Sequence, residues 1–199
     1  AVPLFIFMGT ILEKSGIAAS MLKNMALAFR SIKGGLSISI IVVGALLAAS
    51  TGIVGATVVT MGLMSLPILI NQGYDKSFSA GLVASTGTLG QIIPPSIALV
   101  LLGDVMSNAY QRAQNDMGIF SQQTVTVGDL FIGSIVPGAL ICIGYLIYTI
   151  YKNQINPNIN DHTIDSKINI INLFKTLALP FLLIFLVLGS IFAGIATPT

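Results

Sequence analysis

Tryptophan is absent, cysteine and histidine occur once each, and only 8% of the 199 residues are charged. Each shortage excludes a class of protein. A soluble domain carries charge on about a quarter of its residues, so this chain is not one. The single Cys142 excludes an internal disulfide, and its place in an apolar run marks it as a packing residue. His162 stands in the polar stretch Asn160-Asp161-His162-Thr163 with no second histidine or cysteine near it, which makes it a solvated loop residue and not a metal ligand. The nine basic residues are dispersed, and the formal net charge of +2 gathers into no stripe for nucleic acid. Acids, bases and nucleophiles are nearly missing from the apolar stretches, so no catalytic residue is expected and the chain should not be an enzyme. Asp104 lacks the second membrane-facing acid that a carboxylate dyad needs.

What the chain has in quantity is apolar length. With 54% hydrophobic residues and a mean hydropathy of +0.92, it reads as an integral membrane protein. Its spanning segments must be helical if they are to satisfy their own backbone groups in hydrocarbon. Residues 1–12 read as the end of a span. Residues 13–35 alternate Ile17, Met21, Leu22 and Met25 with Lys14, Lys23, Asn24 and Arg30, as an amphipathic helix on a membrane surface does, and Gly34-Gly35 ends it. Residues 130–151 form a plainer span with Pro137-Gly138 inside it. A polar segment over 152–175, containing Asn156-Pro157-Asn158, leads to the last span and the start of a next element over 176–199. The chain opens inside an apolar segment and closes on Ala196-Thr197-Pro198-Thr199, the pattern expected of a piece of a longer polypeptide.

Residues 36–70 contain no charge, and as one straight helix they would reach roughly 50 Å, beyond the ~30 Å hydrocarbon core. Something must fold them. At the centre lies Ala49-Ser50-Thr51-Gly52-Ile53-Val54-Gly55, which returns as Ala84-Ser85-Thr86-Gly87-Thr88-Leu89-Gly90, identical at five of seven positions. As a repeat alone this is weak, and Ala, Ser, Thr and Gly also serve close packing between membrane helices. Position decides in favour of a broken-helix site. Both copies interrupt long apolar runs, and the second leads into Gln91-Ile92-Ile93-Pro94-Pro95-Ser96, where a proline pair breaks the helical ladder. The expectation is a re-entrant hairpin over 36–71 and a crossing over 77–103 broken at 86–95. The positive-inside rule agrees. With re-entry, Lys14, Lys23, Arg30, Lys33, Lys76, Lys152, Lys167 and Lys175 share one side and only Arg112 lies opposite, eight against one; with a full crossing the split is five against four. This puts the 104–129 loop outside, on the side a periplasmic loop would take, and the 152–175 loop in the cytoplasm.

The chemistry left at membrane depth consists of hydroxyls, backbone carbonyls, amides and helix dipoles. Carbonyls freed at Ser50-Thr51-Gly52 and Ser85-Thr86-Gly87 suit a hard monovalent cation, and half-helix N-termini suit an anionic group on a solute. Gly52, Gly55, Gly87 and Gly90 permit close backbone approach. Gln91 is the only sizeable polar side chain near the break, placed either to contact solute, to orient the tip, or to pack with its amide satisfied by freed backbone.

At these residues the chain strongly resembles the large permease subunit of the tripartite ATP-independent periplasmic (TRAP) transporters. Pro3-Leu4-Phe5-Ile6, Glu13-Lys14-Ser15-Gly16-Ile17-Ala18, Gly34-Gly35-Leu36, Gly73-Tyr74-Asp75, Gly87-Thr88-Leu89-Gly90-Gln91-Ile92-Ile93-Pro94-Pro95-Ser96 and Thr197-Pro198-Thr199 all look like signatures of that family. The linker from Met106 through Ser121 is similar to the branch labelled mannitol/chloroaromatic. The resemblance implies an all-α, elevator-type secondary transporter of two inverted repeats, of which this chain holds the first, with its re-entrant hairpin and proline-broken helix. It implies a multi-pass protein of a prokaryotic inner membrane, coupled to Na⁺ and without another cofactor. A small membrane subunit and a periplasmic solute-binding protein are implied as partners, with an organic acid as solute. Carried over by motif, a sodium site would involve Ser50, Thr51, Gly52, Ser85, Thr86, Gly87 and Gly90. Ser50, Thr51, Gln91, Pro95 and Ser96 would contact solute. Two other readings of the same residues are a helical membrane scaffold whose repeated heptads serve only packing, and a passive channel with re-entrant half-helices.

Overall fold

A computed structural model describes residues 2–119, 124–155 and 170–195, and every described segment of regular structure is helical. The eight α-helices are α1 Val2–Lys14, α2 Ile17–Ala28, α3 Gly35–Thr51, α4 Val54–Asn71, α5 Lys76–Thr88, α6 Ile97–Asp116, α7 Val127–Ile155 and α8 Ile170–Phe192. A 3-10 turn, Leu89–Gln91, stands between α5 and α6. By length and composition, three stretches among the described residues can cross a membrane: Val54–Asn71, Val127–Ile155 and Phe174–Phe192. The expected segment with Asn156-Pro157-Asn158 and His162, and the closing Thr197-Pro198-Thr199, lie outside the described residues.

Helix α3 is the hub. It packs on α1, α2, α4, α5, α7, α8 and the 3-10 turn, so nearly its whole surface is buried, Ile40, Ile41 and Val43 completely. A helix apolar on every side suits such a central position. Glycine lets neighbours come close: a Cβ at Gly44 would lie 2.9 Å from Thr86 Cβ on α5. Helix α4 folds back along α3. Met61 reaches within 3.8 Å of the same Gly44 position, and Leu36, at the start of α3, lines one groove with Met64, Ile68 and Gln72 near the end of α4. The far end of α7 is anchored on the start of α3, where buried Asn153 Nδ2 donates to Ser37 Oγ at 2.7 Å. Gly34 leaves room there, since an added Cβ would collide with the Asn153 amide.

Two segments differ from the sequence reading. The amphipathic stretch over 13–35 is split by left-handed Gly16 (φ 71°) and stops at Phe29. The apolar face of α2, with Ala18, Met21, Leu22 and Met25 buried, is covered by α3 and α8 as well as by α1. Residues 104–116, expected as loop, continue α6 as helix to Asp116. Met106, Ala109, Gln111, Arg112, Ala113 and Gln114 are good helix formers, and the first glycine in that direction, Gly118 at φ 69°, comes just beyond the helix end. Polarity there ends the apolar run without ending the helix. Helix α7 starts earlier than expected, at Val127, because Thr126 and Asp129 cap it reciprocally: Asp129 Oδ2 accepts from the Thr126 backbone N–H at 2.9 Å, and Thr126 Oγ1 accepts from Asp129 N–H at 3.2 Å.

Candidate functional site

The centre of the charge-free run is a two-residue break. Helix α3 ends at Thr51, Gly52 turns left-handed (φ 62°) and donates its N–H to Ala48 O at 2.9 Å, and α4 begins after extended Ile53. Glycine is required here because only it takes that conformation without a Cβ penalty. The break leaves the last carbonyls of α3 and the first N–H groups of α4 at one tip. The hydroxyls around it are engaged: Ser50 Oγ donates to Leu46 O at 2.5 Å, Thr51 Oγ1 and Thr57 Oγ1 are 2.9 Å apart, and Thr57 Oγ1 lies 2.9 Å from Ile53 O. Ser50 is fully buried and Thr51 nearly so.

The second break is built differently. Asp75 caps α5 by accepting from Phe78 N–H at 2.9 Å. After Thr88 the chain tightens into the 3-10 turn, with Ile92 and Ile93 N–H both returning to Leu89 O. The Pro94–Pro95 bond is cis. Ser96 then caps α6, its Oγ accepting from Leu99 N–H at 3.4 Å and donating to Gln91 O at 2.9 Å.

The structure brings these breaks together. Gln91 Nε2 donates to Gly52 O at 3.2 Å, across 39 residues of sequence. A Cβ at Gly90 would stand 2.7 Å from Ala48 O, and one at Gly52 would stand 3.4 Å from Pro95 O. Gly87 packs so closely on Val58 of α4 that an added Cβ would collide with it. Thr86, fully buried, faces α3 at Gly44 and donates Oγ1 to Leu82 O at 2.8 Å. Thus Ser50, Thr51, Gly52, Thr86, Gly87, Gly90, Gln91, Pro95 and Ser96 belong to one contiguous region. Ser85 does not face it: one position before Thr86, it lines a groove beside α7 with Tyr145 and Tyr148. Gly55 has open space around it, with nothing within 4 Å of an added Cβ.

Sequence reading missed Thr57, Ala48 O and Gly9. Thr57 is one helical turn into α4 and bridges the tip to its own returning helix. A Cβ at Gly9 of α1 would lie 3.1 Å from Thr51 O, so α1 closes one side of the tip. The signal available for Thr57 was a hydroxyl in the first turn after the break; for Gly9 there was none, because its partner is distant in sequence.

Oxygen is the only donor chemistry at this region. Among the described residues no three His, Cys, Asp or Glu side chains gather. Ser50 and Thr86, which donate to helix carbonyls, keep their two lone pairs, as does Thr51 when it donates to Thr57 Oγ1, whose own proton goes to Ile53 O, so all three can still face a cation. Hard alkali and alkaline-earth cations prefer such neutral oxygens to nitrogen or sulfur. The residues present therefore fit a small hard cation.

The whole chain, residues 1–199, matches the model of the family described as tripartite ATP-independent periplasmic transporter, DctM component. It is 33% identical to the C4-dicarboxylate TRAP transporter large permease protein DctM of Rhodobacter capsulatus, over 100% of this chain and 44% of that protein. It is 32% identical to the C4-dicarboxylate TRAP transporter large permease protein DctM of Vibrio cholerae, over 100% of this chain and 40% of that protein. The ectoine TRAP transporter large permease protein TeaC of Halomonas elongata is 33% identical over 75% of this chain and 31% of its own length. The chain thus spans less than half the length of these relatives. Its apolar helices, its two apposed helix breaks and the match along its full length agree, and the chain belongs to the DctM component family of the tripartite ATP-independent periplasmic transporters.

Proposed function

We propose that this chain supplies one half of the coupling site in the membrane permease of a sodium-driven secondary transporter fed by a binding protein. The observation that carries the reading is the Gln91 Nε2 to Gly52 O bond, with Gly90 seated on Ala48. It holds two breaks in otherwise apolar helices against each other. Ser50, Thr51 and Thr86 would hold Na⁺ with carbonyls freed at Thr51, Gly52 and Gly87, while Ser85, turned to the α7 groove, stays outside the set. The N-termini of α4 and α6 converge near Pro95 and Ser96 and would receive an anionic group of the solute. Gln91 then positions the tip as well as bordering the solute.

The hairpin made by α3 and α4 enters and leaves the membrane on one side in this reading. Relatives named for C4-dicarboxylate, ectoine and isethionate support a small organic solute with an anionic group without choosing among them. A small membrane subunit and a periplasmic solute-binding protein complete the system in a prokaryotic inner membrane, and an elevator movement of the hairpin region carries the solute across. Coupling is tested with the intact protein in proteoliposomes. Thr51→Val and Thr86→Val remove one oxygen each while keeping shape, and each should raise the sodium concentration for half-maximal uptake about tenfold, the size of one lost buried polar contact. Unchanged sodium dependence in both variants would sink the proposed ion site and leave packing as the role of these residues.

A further inference from the structure

A groove of about 520 Å³ runs between the start of α5 and the last turns of α7, outside the site just described. Asp75 and Ser77 edge it from α5, Phe78 and Tyr148 form aromatic walls, and Lys152 stands at the α7 end. Its size is that of a small-ligand pocket.

Three features say what it takes. Asp75 and Lys152 carry opposite charges in the same groove, and no ion pair joins them among the described residues. Thr149, 1% exposed, is part of the wall, and its Oγ1 has no partner among the described residues. A helical threonine has two accessible χ1 rotamers, so that hydroxyl can be turned to the groove. Depth is the third feature. Helix α7 has 29 residues, roughly 43 Å at 1.5 Å each, so its end passes the ~30 Å hydrocarbon core. Tyr145, Tyr148, Tyr151 and Lys152 cluster at that end, the residues that mark a membrane–water interface. Tyr148, in the groove wall, is itself exposed, so the groove opens at the helix surface near this interface.

We infer that this groove binds the headgroup of a zwitterionic phospholipid bearing a phosphate and a primary ammonium. Lys152 and the Thr149 hydroxyl face the phosphate, Asp75 faces the ammonium, and the acyl chains leave past exposed Tyr148 into the surrounding hydrocarbon. A single carboxylate beside a single ammonium favours a headgroup with both charges over one with only the negative charge. The site stands independently of the proposed ion coupling, since none of its lining residues would hold Na⁺ and Leu82 meets that region only by accepting from Thr86 Oγ1.

The test uses the intact protein in detergent and native mass spectrometry with phosphatidylethanolamine, phosphatidylglycerol and phosphatidylcholine. Phosphatidylethanolamine is expected to be retained best. Lys152→Gln should weaken its retention about fivefold, the size of one partly exposed charge contact. Asp75→Asn keeps a helix-capping residue and should move the preference toward phosphatidylglycerol. Equal retention of the three lipids, or retention that neither substitution alters, overturns the proposal. Competition by soluble phosphoethanolamine as strong as that by the lipid would also overturn it, by showing that the acyl chains contribute nothing.

Discussion

At the tip, glycine identity is set by what lies where a Cβ would go. Gly90 is the sharpest case, because an added Cβ meets the Ala48 carbonyl oxygen at 2.7 Å and its carbon at 3.1 Å, backbone atoms that cannot swing aside. Gly90→Ala should therefore separate the 3-10 turn from α3, at a cost of about 1–3 kcal/mol. Gly133→Ala on α7 is the control: nothing lies within 4 Å of its Cβ, and replacing a helical glycine gains roughly 0.5–1 kcal/mol. Thermal unfolding of the purified protein should show the first variant below the parent and the second at or above it. Equal melting of the two would mean that the turn is not seated on α3. The glycines themselves were legible in the sequence, since the repeated Ser-Thr-Gly clusters announce where a helix weakens. The direction of each side chain was not. Ser85 and Thr86 are neighbours about 100° apart on a helix, so one faces the α7 groove and the other α3, and a helix with no strongly apolar side gives no clue to which is which.

Among the elements, the docking of α7 on α3 combines apolar packing of Cys142, Tyr145 and Leu146 with one buried polar pair. Asn153 and Ser37 are both almost completely buried and share a 2.7 Å bond, and Ser37 Oγ in turn donates a hydrogen bond to Gly34 O at 2.7 Å. Removing Asn153 strands a serine that keeps one partner, whereas removing Ser37 strands an amide. The expected result is about 1–3 kcal/mol lost for each of Asn153→Ala and Ser37→Ala. The double variant should lose less than the sum, by about 1 kcal/mol. Additive losses in a double-mutant cycle would show that the two residues stabilise the protein separately. Nothing in the sequence pointed to this pair. It joins residues 116 apart, and an Asn just past Lys152 at the end of an apolar helix reads as the start of a polar loop. By contrast, the break within residues 36–70 followed from length alone, and the continuation of α6 to Asp116 was missed because polarity was taken to end the helix along with the apolar run.

For the whole molecule, the arrangement of charge and the arrangement of helices ask the same question of α4. By length and composition Val54–Asn71 is able to cross a membrane on its own, yet it lies back along α3, so that Leu36 and Gln72 share a groove. Two helices folded in this way bring Lys33 and Lys76, which flank them, to the same end. If the pair re-enters, both lysines face the cytoplasm with most of the basic residues, and Arg112 on α6 faces the periplasm. Both lysines and Arg112 are exposed, which makes them suitable for labelling. In a Cys142→Ser background that removes the single thiol, Lys33→Cys and Lys76→Cys should react with a membrane-impermeant maleimide only after the inner face is opened. Arg112→Cys should react in intact spheroplasts. Labelling of Lys33→Cys and Lys76→Cys from opposite faces would instead make the run from α3 to α4 a crossing. The two helix breaks would then still meet through Gln91 and Gly52, but within a bundle whose N-terminal half faces the other way. The sodium-coupled reading would have to give up a tip that opens from one side.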